Sequence, residues 1–150
     1  MKNNIPHVAI AILYREGKFL LQLRDNIPTI IYPGYWAFFG GHLEPGETPE
    51  VALKRELKEE IGYAPAKVYE FGIYSDAKVI RHVFYAPLTV ELKDLVLGEG
   101  WDMGLLTLAE IKAGKGYSKN AGMERSLSEI HQTILLDFIN KYGSFPNSVN

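Results

Sequence analysis

Glu56, Glu59 and Glu60 fall within five residues of one another, with Arg55 beside them and Glu47 a loop upstream. Residues three and four apart share a face of a helix, so the three carboxylates are predicted to project together. Alone, that arrangement is unfavourable: like charges at this spacing cost about 0.2–0.5 kcal/mol per pair. Glu59 and Glu60 also stand near the helix's negative end, just before Gly62, which costs about 0.3–1 kcal/mol each. A cation relieves both penalties. Clustered carboxylate oxygens suit Mg²⁺ or Mn²⁺, whereas zinc calls for His or Cys. A merely solvated charged face would have a similar composition, since Glu50 and Lys54 form a favourable pair and Lys58 dilutes the negative charge. Against that, Arg55–Glu59 runs in the weaker cation-first order, and no Lys lies four residues beyond Glu56, Glu59 or Glu60. The local pattern leaves the two readings level.

Such a helix has to be started, anchored and stopped. Thr48 can cap it, and Pro49 fits the first helical position, where its missing N–H costs nothing. Leu53, Leu57 and Ile61 recur every four residues and give a stripe to bury against a sheet. Gly62 supplies the left-handed stop. Upstream, Gly40-Gly41 permits a tight turn and a close backbone approach, so that a carbonyl can face a metal or phosphate. Pro45-Gly46 supplies a second turn.

Around this helix the pattern is strand-rich. Residues 7–14 and 19–23 read as strands joined through Arg15-Glu16-Gly17-Lys18. Residues 25–34, with Pro28 and Pro33, form a loop near the mouth of the site, and 35–39 a short aromatic strand. Residues 67–74, 79–85 and 88–92 are further strands. Thr107 and Glu110 have capping-box spacing and open a short helix. Residues 125–142 carry Ile130, Ile134, Leu135, Phe138 and Ile139 at helical spacing and predict an amphipathic C-terminal helix.

At 150 residues and 47% hydrophobic, the chain has room for one domain with a real core. A formal charge of −2 and a pI near 6.1 argue against a general nucleic-acid-binding surface. The absence of cysteine excludes disulfides, thiolate metal sites and cysteine nucleophiles. The apolar run 8–14 is too short to span a membrane or to serve as a signal sequence, so the cytoplasm is the default compartment. His7, His42, His82 and His131 are scattered, without metal-ligand spacing.

The frame is Gly41, five residues, Glu47, seven residues, then Arg55-Glu56-Leu57-Lys58-Glu59-Glu60-Ile61-Gly62-Tyr63. Residues 41–63 thus resemble the Nudix box, the signature of hydrolases acting on a nucleoside diphosphate linked to another moiety. Tyr63 departs from the pattern, in a slot where the family more often has Ile, Leu or Val. The resemblance implies an α/β (α+β) fold: an α/β/α sandwich around a mixed sheet, with the box helix on one face and the C-terminal helix on the other. It also implies a single domain over residues 1–143, followed by a tail at 144–150. The isomerase branch of the same fold relies on an active-site cysteine, which this chain lacks.

From the same resemblance, Glu56 and Glu60 are expected as Mg²⁺ or Mn²⁺ ligands, and Glu59 as a further ligand or the general base. Glu47 and Arg55 are expected to pair and hold helix and loop in register, and the carbonyl of Gly40 or Gly41 to complete the metal shell. A later carboxylate often completes such a site. Glu99, flanked by Gly98 and Gly100, is the candidate, ahead of Asp94 and Asp102. Arg24 and Arg81 are candidates for binding a phosphate or base edge, and Phe39, among Tyr35, Trp36 and Phe38, for stacking on the substrate. The expected substrate is a small nucleotide: a nucleoside triphosphate, ordinary or oxidised, or a nucleotide sugar. Two alternatives stand beside it. One is a ligand-sensing module of the same fold, which would usually lose box carboxylates. The other is an RNA-end decapping enzyme, for which Lys112, Lys115 and Lys119 offer a modest basic patch. No membrane partner is expected, and a homodimer is left open.

Overall fold

Strand β1 (His7–Arg15) turns back into β2 (Lys18–Leu23) through Glu16 and Gly17, whose φ angles of 53° and 78° are the left-handed pair of a tight hairpin turn. The computed structural model describes residues 4–143. The two strands pair only over Leu13–Arg15 and Lys18–Leu20, then part. Into the fork runs the aromatic segment: β3 (Trp36–Ala37) pairs with the end of β2, and β4 (Phe39–His42) with the start of β1. On the far side of β1 lies β6 (Ile80–Pro87), in parallel register, with β5 (Tyr69–Ser75) antiparallel beyond it. The other edge of β2 takes β7 (Asp102–Leu106). The result is a seven-stranded mixed sheet.

Alternation along β1 divides the core in two. Ala9, Ala11 and Leu13 face helix α1 (Pro49–Ile61) and pack with Leu20, Phe39, Leu53, Leu57 and Ile61. Ile10, Ile12 and Tyr14 face the other way, onto Ile134, Leu135 and Phe138 of the C-terminal helix α3 (Glu129–Tyr142) and Ile111 of the short α2 (Leu108–Ala113). This is the expected α/β/α sandwich. Each fully buried Leu or Ile contributes about 1.5–3 kcal/mol, so the α1 stripe outweighs the repulsion among the glutamates on its opposite side. The caps are where the sequence puts them. The Thr48 hydroxyl accepts from the Val51 N–H at 3.2 Å, Gly62 closes α1 at φ 70°, and Thr107 and Glu110 form a reciprocal capping box.

Three expectations require correction. Residues 88–92 form no strand: Leu88 still donates to the Tyr14 carbonyl, but β1 ends at Arg15 and offers no further partner, so the chain passes into a single 3₁₀ turn at Leu92–Asp94. The C-terminal helix begins at Glu129 rather than at 125. Residues Met123–Ser126 are drawn instead into β9, a hairpin with β8 (Lys115–Ser118). Gly40-Gly41 lies within β4 rather than in a turn. Among the described residues no helix is long and apolar enough to cross a membrane. The expected tail, 144–150, lies outside the described residues.

Candidate active site

Helix α1 presents its charged side to a cleft of about 450 Å³ lined by Gln22, Arg24, Asp25, Ile30, Glu56, Glu59, Glu60 and residues 98–100. Beneath the helix, β4 carries two glycines where it pairs with β1 in the fork. A Cβ on Gly40 would stand 2.1 Å from the Ala9 carbonyl oxygen, and one on Gly41 would stand 2.4 Å from the Glu56 carboxyl carbon. Only a bare backbone lets strand and carboxylates come so close.

Arg55 organises the acidic residues. Its guanidinium grips Glu47 through both oxygens (Nε to Oε2 2.7 Å, Nη2 to Oε1 2.9 Å) and donates to the His42 carbonyl at 3.1 Å. Nη1 meets Glu56 at 3.1 Å and lies 3.6 Å from Glu59. Glu47 also accepts from the Glu44 N–H. The hydrogen bonds from Arg55 hold its carboxyl down at about 2, and the Arg55 guanidinium is raised still higher in return. The expected Glu47–Arg55 pair is present in this geometry.

Glu56 and Glu60 are in the opposite condition. Burial is the main cause raising both, and repulsion between neighbouring carboxylates adds to it. Glu60 is pushed up to about 8 although the Gly40 N–H donates to Oε1 at 3.0 Å and the Arg24 charge favours ionisation. Glu59 is the open member, its side chain 60% exposed. Among the described residues no three carboxylate or imidazole groups converge tightly enough to enclose an ion: the Glu56 oxygen is turned to Arg55 and the Glu60 oxygen to Gly40. The donor set nevertheless fits a hard divalent cation. It consists of oxygens only, its burial is only partly compensated by Arg55 and Arg24, and the Gly41 backbone lies directly against Glu56.

Glu99 lines this cleft. Its loop is pinned rather than free to swing: Val96 N–H donates to the Ile61 carbonyl and Gly98 N–H to the Glu60 carbonyl, so the loop closes over the last turn of α1. Arg24 is also in the cleft. Its Nε is committed to the Ile31 carbonyl at 2.7 Å, which leaves the terminal nitrogens for an anion. Two other candidates are not brought here. Phe39 is 1% exposed and fills the core between sheet and α1, since strand alternation turns its ring inward next to Leu53 and Leu57. Arg81 is 6% exposed and absent from the cleft lining. It pairs with Asp76 and lies 3.4 Å from the Tyr32 hydroxyl, near buried His131, because β6 alternation turns it toward α3. Asp102 likewise leaves the site to accept from Ser118 Oγ at 2.7 Å. A second groove, of about 340 Å³, lies at the α1 N-terminus by Glu70, Ile73 and His82 and holds none of Glu56, Glu59, Glu60 or Glu99.

The NUDIX domain model matches residues 4–127. The chain belongs to that family. A curated relative, the nucleoside triphosphatase NudI of Enterobacter sp. (strain 638), is 59% identical over 55 residues, which cover 37% of this chain and 38% of the relative. The match therefore spans less than half the length of either protein. Among solved structures, MutT from a study of Aliivibrio salmonicida and Vibrio cholerae aligns with a TM-score of 0.70 at 20% identity, covering 92% of this chain and 99% of that one. The NUDIX domain of Shewanella oneidensis NrtR, solved with ADP ribose, aligns with a TM-score of 0.70 at 18% identity, covering 93% and 90%. These likenesses establish the fold.

One residue of the Nudix cleft escaped the sequence reading. Gln22 sits in the apolar run Phe19-Leu20-Leu21-Gln22-Leu23 and is 6% exposed in the structure. The signal was available, since a carboxamide inside a buried strand needs a partner. Which partner it has, the Phe38 carbonyl across the fork, depends on how β3 and β4 enter.

Proposed function

We propose that this NUDIX domain hydrolyses the diphosphate bridge of a small nucleotide, with a nucleoside triphosphate as the leading substrate class. The observation that carries the reading is the pairing, in one cleft, of four glutamates (Glu56, Glu59, Glu60, Glu99) with the free end of Arg24. The NudI match over 55 residues favours a triphosphate.

A diphosphate resists water because its own negative oxygens repel the attacking oxygen. Mg²⁺ or Mn²⁺, when bound, supplies charge neutralisation and a more acidic water. Glu56 and Glu60 would hold it, with the Gly41 carbonyl and Glu99 completing an oxygen shell. Arg24 binds a phosphate through its terminal nitrogens. Glu59, open to the cleft, takes the proton from the water whose oxygen attacks phosphorus. The bridging P–O bond breaks and the leaving phosphate carries the electron pair away, giving a nucleoside monophosphate and pyrophosphate from a triphosphate. The Arg55–Glu47 pair keeps Glu56 aimed at the cleft. For phosphoryl transfer, positioning and electrostatic stabilisation are the main requirements, and a capped, buried helix provides both.

The test is phosphate or pyrophosphate release from ordinary and oxidised triphosphates, nucleotide sugars, dinucleoside polyphosphates and ADP-ribose, with Mg²⁺, Mn²⁺ or EDTA. Metal-dependent release from one class is the expected result. Undiminished release in EDTA by both Glu56→Gln and Glu60→Gln would sink the metal mechanism. Tight binding without turnover would favour a ligand-sensing domain.

A further inference from the structure

Gln22 differs from the leucines around it in β2 in chemistry but not in burial. Leu20, Leu21 and Leu23 around it are at most 1% exposed, and Gln22 itself is 6% exposed. A buried amide left half-unpaired costs about 1–3 kcal/mol, so a carboxamide at this position calls for a partner at each end. One end is satisfied: Nε2 donates to the Phe38 carbonyl at 3.1 Å. Turning the amide over would press its oxygen against that carbonyl oxygen, so the hydrogen-bond network fixes which end is which.

Oε1 therefore faces the other way. A Cβ on Gly100 would stand 3.6 Å from it, and Gln22 and Gly100 line the cleft together. No protein donor reaches Oε1 among the described residues, yet it is not sealed: the only buried side-chain polar atom there without a partner is Ser128 Oγ. The cleft thus contains a fixed, neutral, unpaired acceptor among carboxylates. A phosphate oxygen cannot satisfy it, because it brings another acceptor. A hydroxyl can. Arg24 follows two residues later, just beyond the end of β2 and lining the same cleft, about 7 Å along an extended chain, a span comparable to that between a 5′-phosphate and the hydroxyls of its sugar.

We infer that Gln22 Oε1 accepts a hydrogen bond from a sugar hydroxyl of the substrate, making Gln22 a specificity-determining residue that reads the sugar rather than the base. The inference rests on the hydrolase reading, in which Arg24 receives the phosphate.

The experiment compares kcat/KM for the four ribonucleoside triphosphates with their 2′-deoxy and 3′-deoxy forms, in wild type and in Gln22→Met, which keeps the volume and removes the acceptor. Wild type should favour the form bearing one of these hydroxyls by roughly 2–10-fold, the range expected for a single neutral hydrogen bond. In Gln22→Met, shown folded by circular dichroism and melting, that ratio should fall toward one while the deoxy substrate is little affected. Equal loss on every form would assign Gln22 a structural role and overturn the inference, as would an unchanged ratio. Wild type alone is decisive if the variant does not fold, since indifference to both hydroxyls also overturns it. Failure of wild type to hydrolyse any of them would count against the triphosphate reading instead. Calorimetric binding of ribonucleoside 5′-monophosphates and their deoxy forms, with Mg²⁺, then decides the sugar reading: discrimination upholds it, and indifference or absent binding overturns it.

Discussion

Glu60 carries its charge at a cost that metal-free protein cannot offset. Its carboxyl is raised to about 8 from 4.5, first by burial and then by Glu56 and Glu59. A raised carboxyl means that the folded state holds its proton more tightly than the unfolded chain does. That contribution is therefore fully present below pH 4.5 and is lost as pH rises through 8. Metal-free melting temperature should accordingly decline between pH 5 and 8, and the increase on adding Mg²⁺ should be larger at pH 8 than at pH 5. In Glu60→Gln the decline should flatten; a slope as steep as wild type would show that Glu60 is not its source. Glu47, held at about 2 by Arg55, acts in the opposite sense, favouring the fold above its ordinary value and losing that effect as pH falls toward 2. Glu56→Gln and Glu60→Gln should each lower kcat by at least about 100-fold, the scale of losing one preorganised electrostatic group, while circular dichroism stays native. Arg55→Lys cannot reproduce the two-pronged grip on Glu47, so weaker Mn²⁺ binding by electron paramagnetic resonance is expected along with slower turnover.

Helix α1 is tolerant of charge on one side because the other is fixed. Leu57 is fully buried between sheet and helix. Leu57→Ala should cost about 2–5 kcal/mol in urea denaturation, the usual range for a buried leucine truncated to alanine. A shift below about 1 kcal/mol would mean that the helix is anchored elsewhere. Gly40→Ala should be worse than its single methyl suggests: the Cβ meets the Ala9 carbonyl at 2.1 Å, and φ is 143°. Loss of soluble, folded protein is the expected outcome, and a normal melt would refute the close approach. The box helix was legible because cap, stripe and stop are local in sequence. The failures, residues 88–92 and the start of α3, lay where pairing with a distant strand overrides local pattern, at the end of β1 and in the β8–β9 hairpin.

Across the whole molecule, the sheet separates the α3-side core from the chemistry. Phe138 is fully buried on the α3 side, in edge-on and tilted contact with Phe19, Phe71 and Tyr85, while the carboxylates lie on the α1 side. Phe138→Ala should therefore destabilise by about 3–5 kcal/mol and leave kcat near wild type at temperatures where the protein stays folded. A parallel loss of kcat would show that the two cores are coupled through the sheet. His131 belongs to the same side. Sealed between Phe38 and Tyr32, it is pushed down to about 3, first by burial and then by the Arg81 and Arg24 charges, and it stays neutral while its Nδ1 accepts from the Phe38 N–H.

By itself the sequence determined the acidic helix and its caps, because each depends on residues within a few turns of one another, while the Glu47–Arg55 pair was implied by the resemblance to the Nudix box. It also determined the family, because the box is a contiguous pattern. Only the tertiary structure decided which distant residues meet that helix. Strand alternation sends Phe39 into one core and Arg81 to the other face, and the fork of β1 and β2 sets Gln22 and Arg24 beside the carboxylates. A loop bonded to the last turn of α1 carries Glu99 into the same cleft. A side chain's face depends on strand register, and register is fixed by long-range pairing that no local window contains.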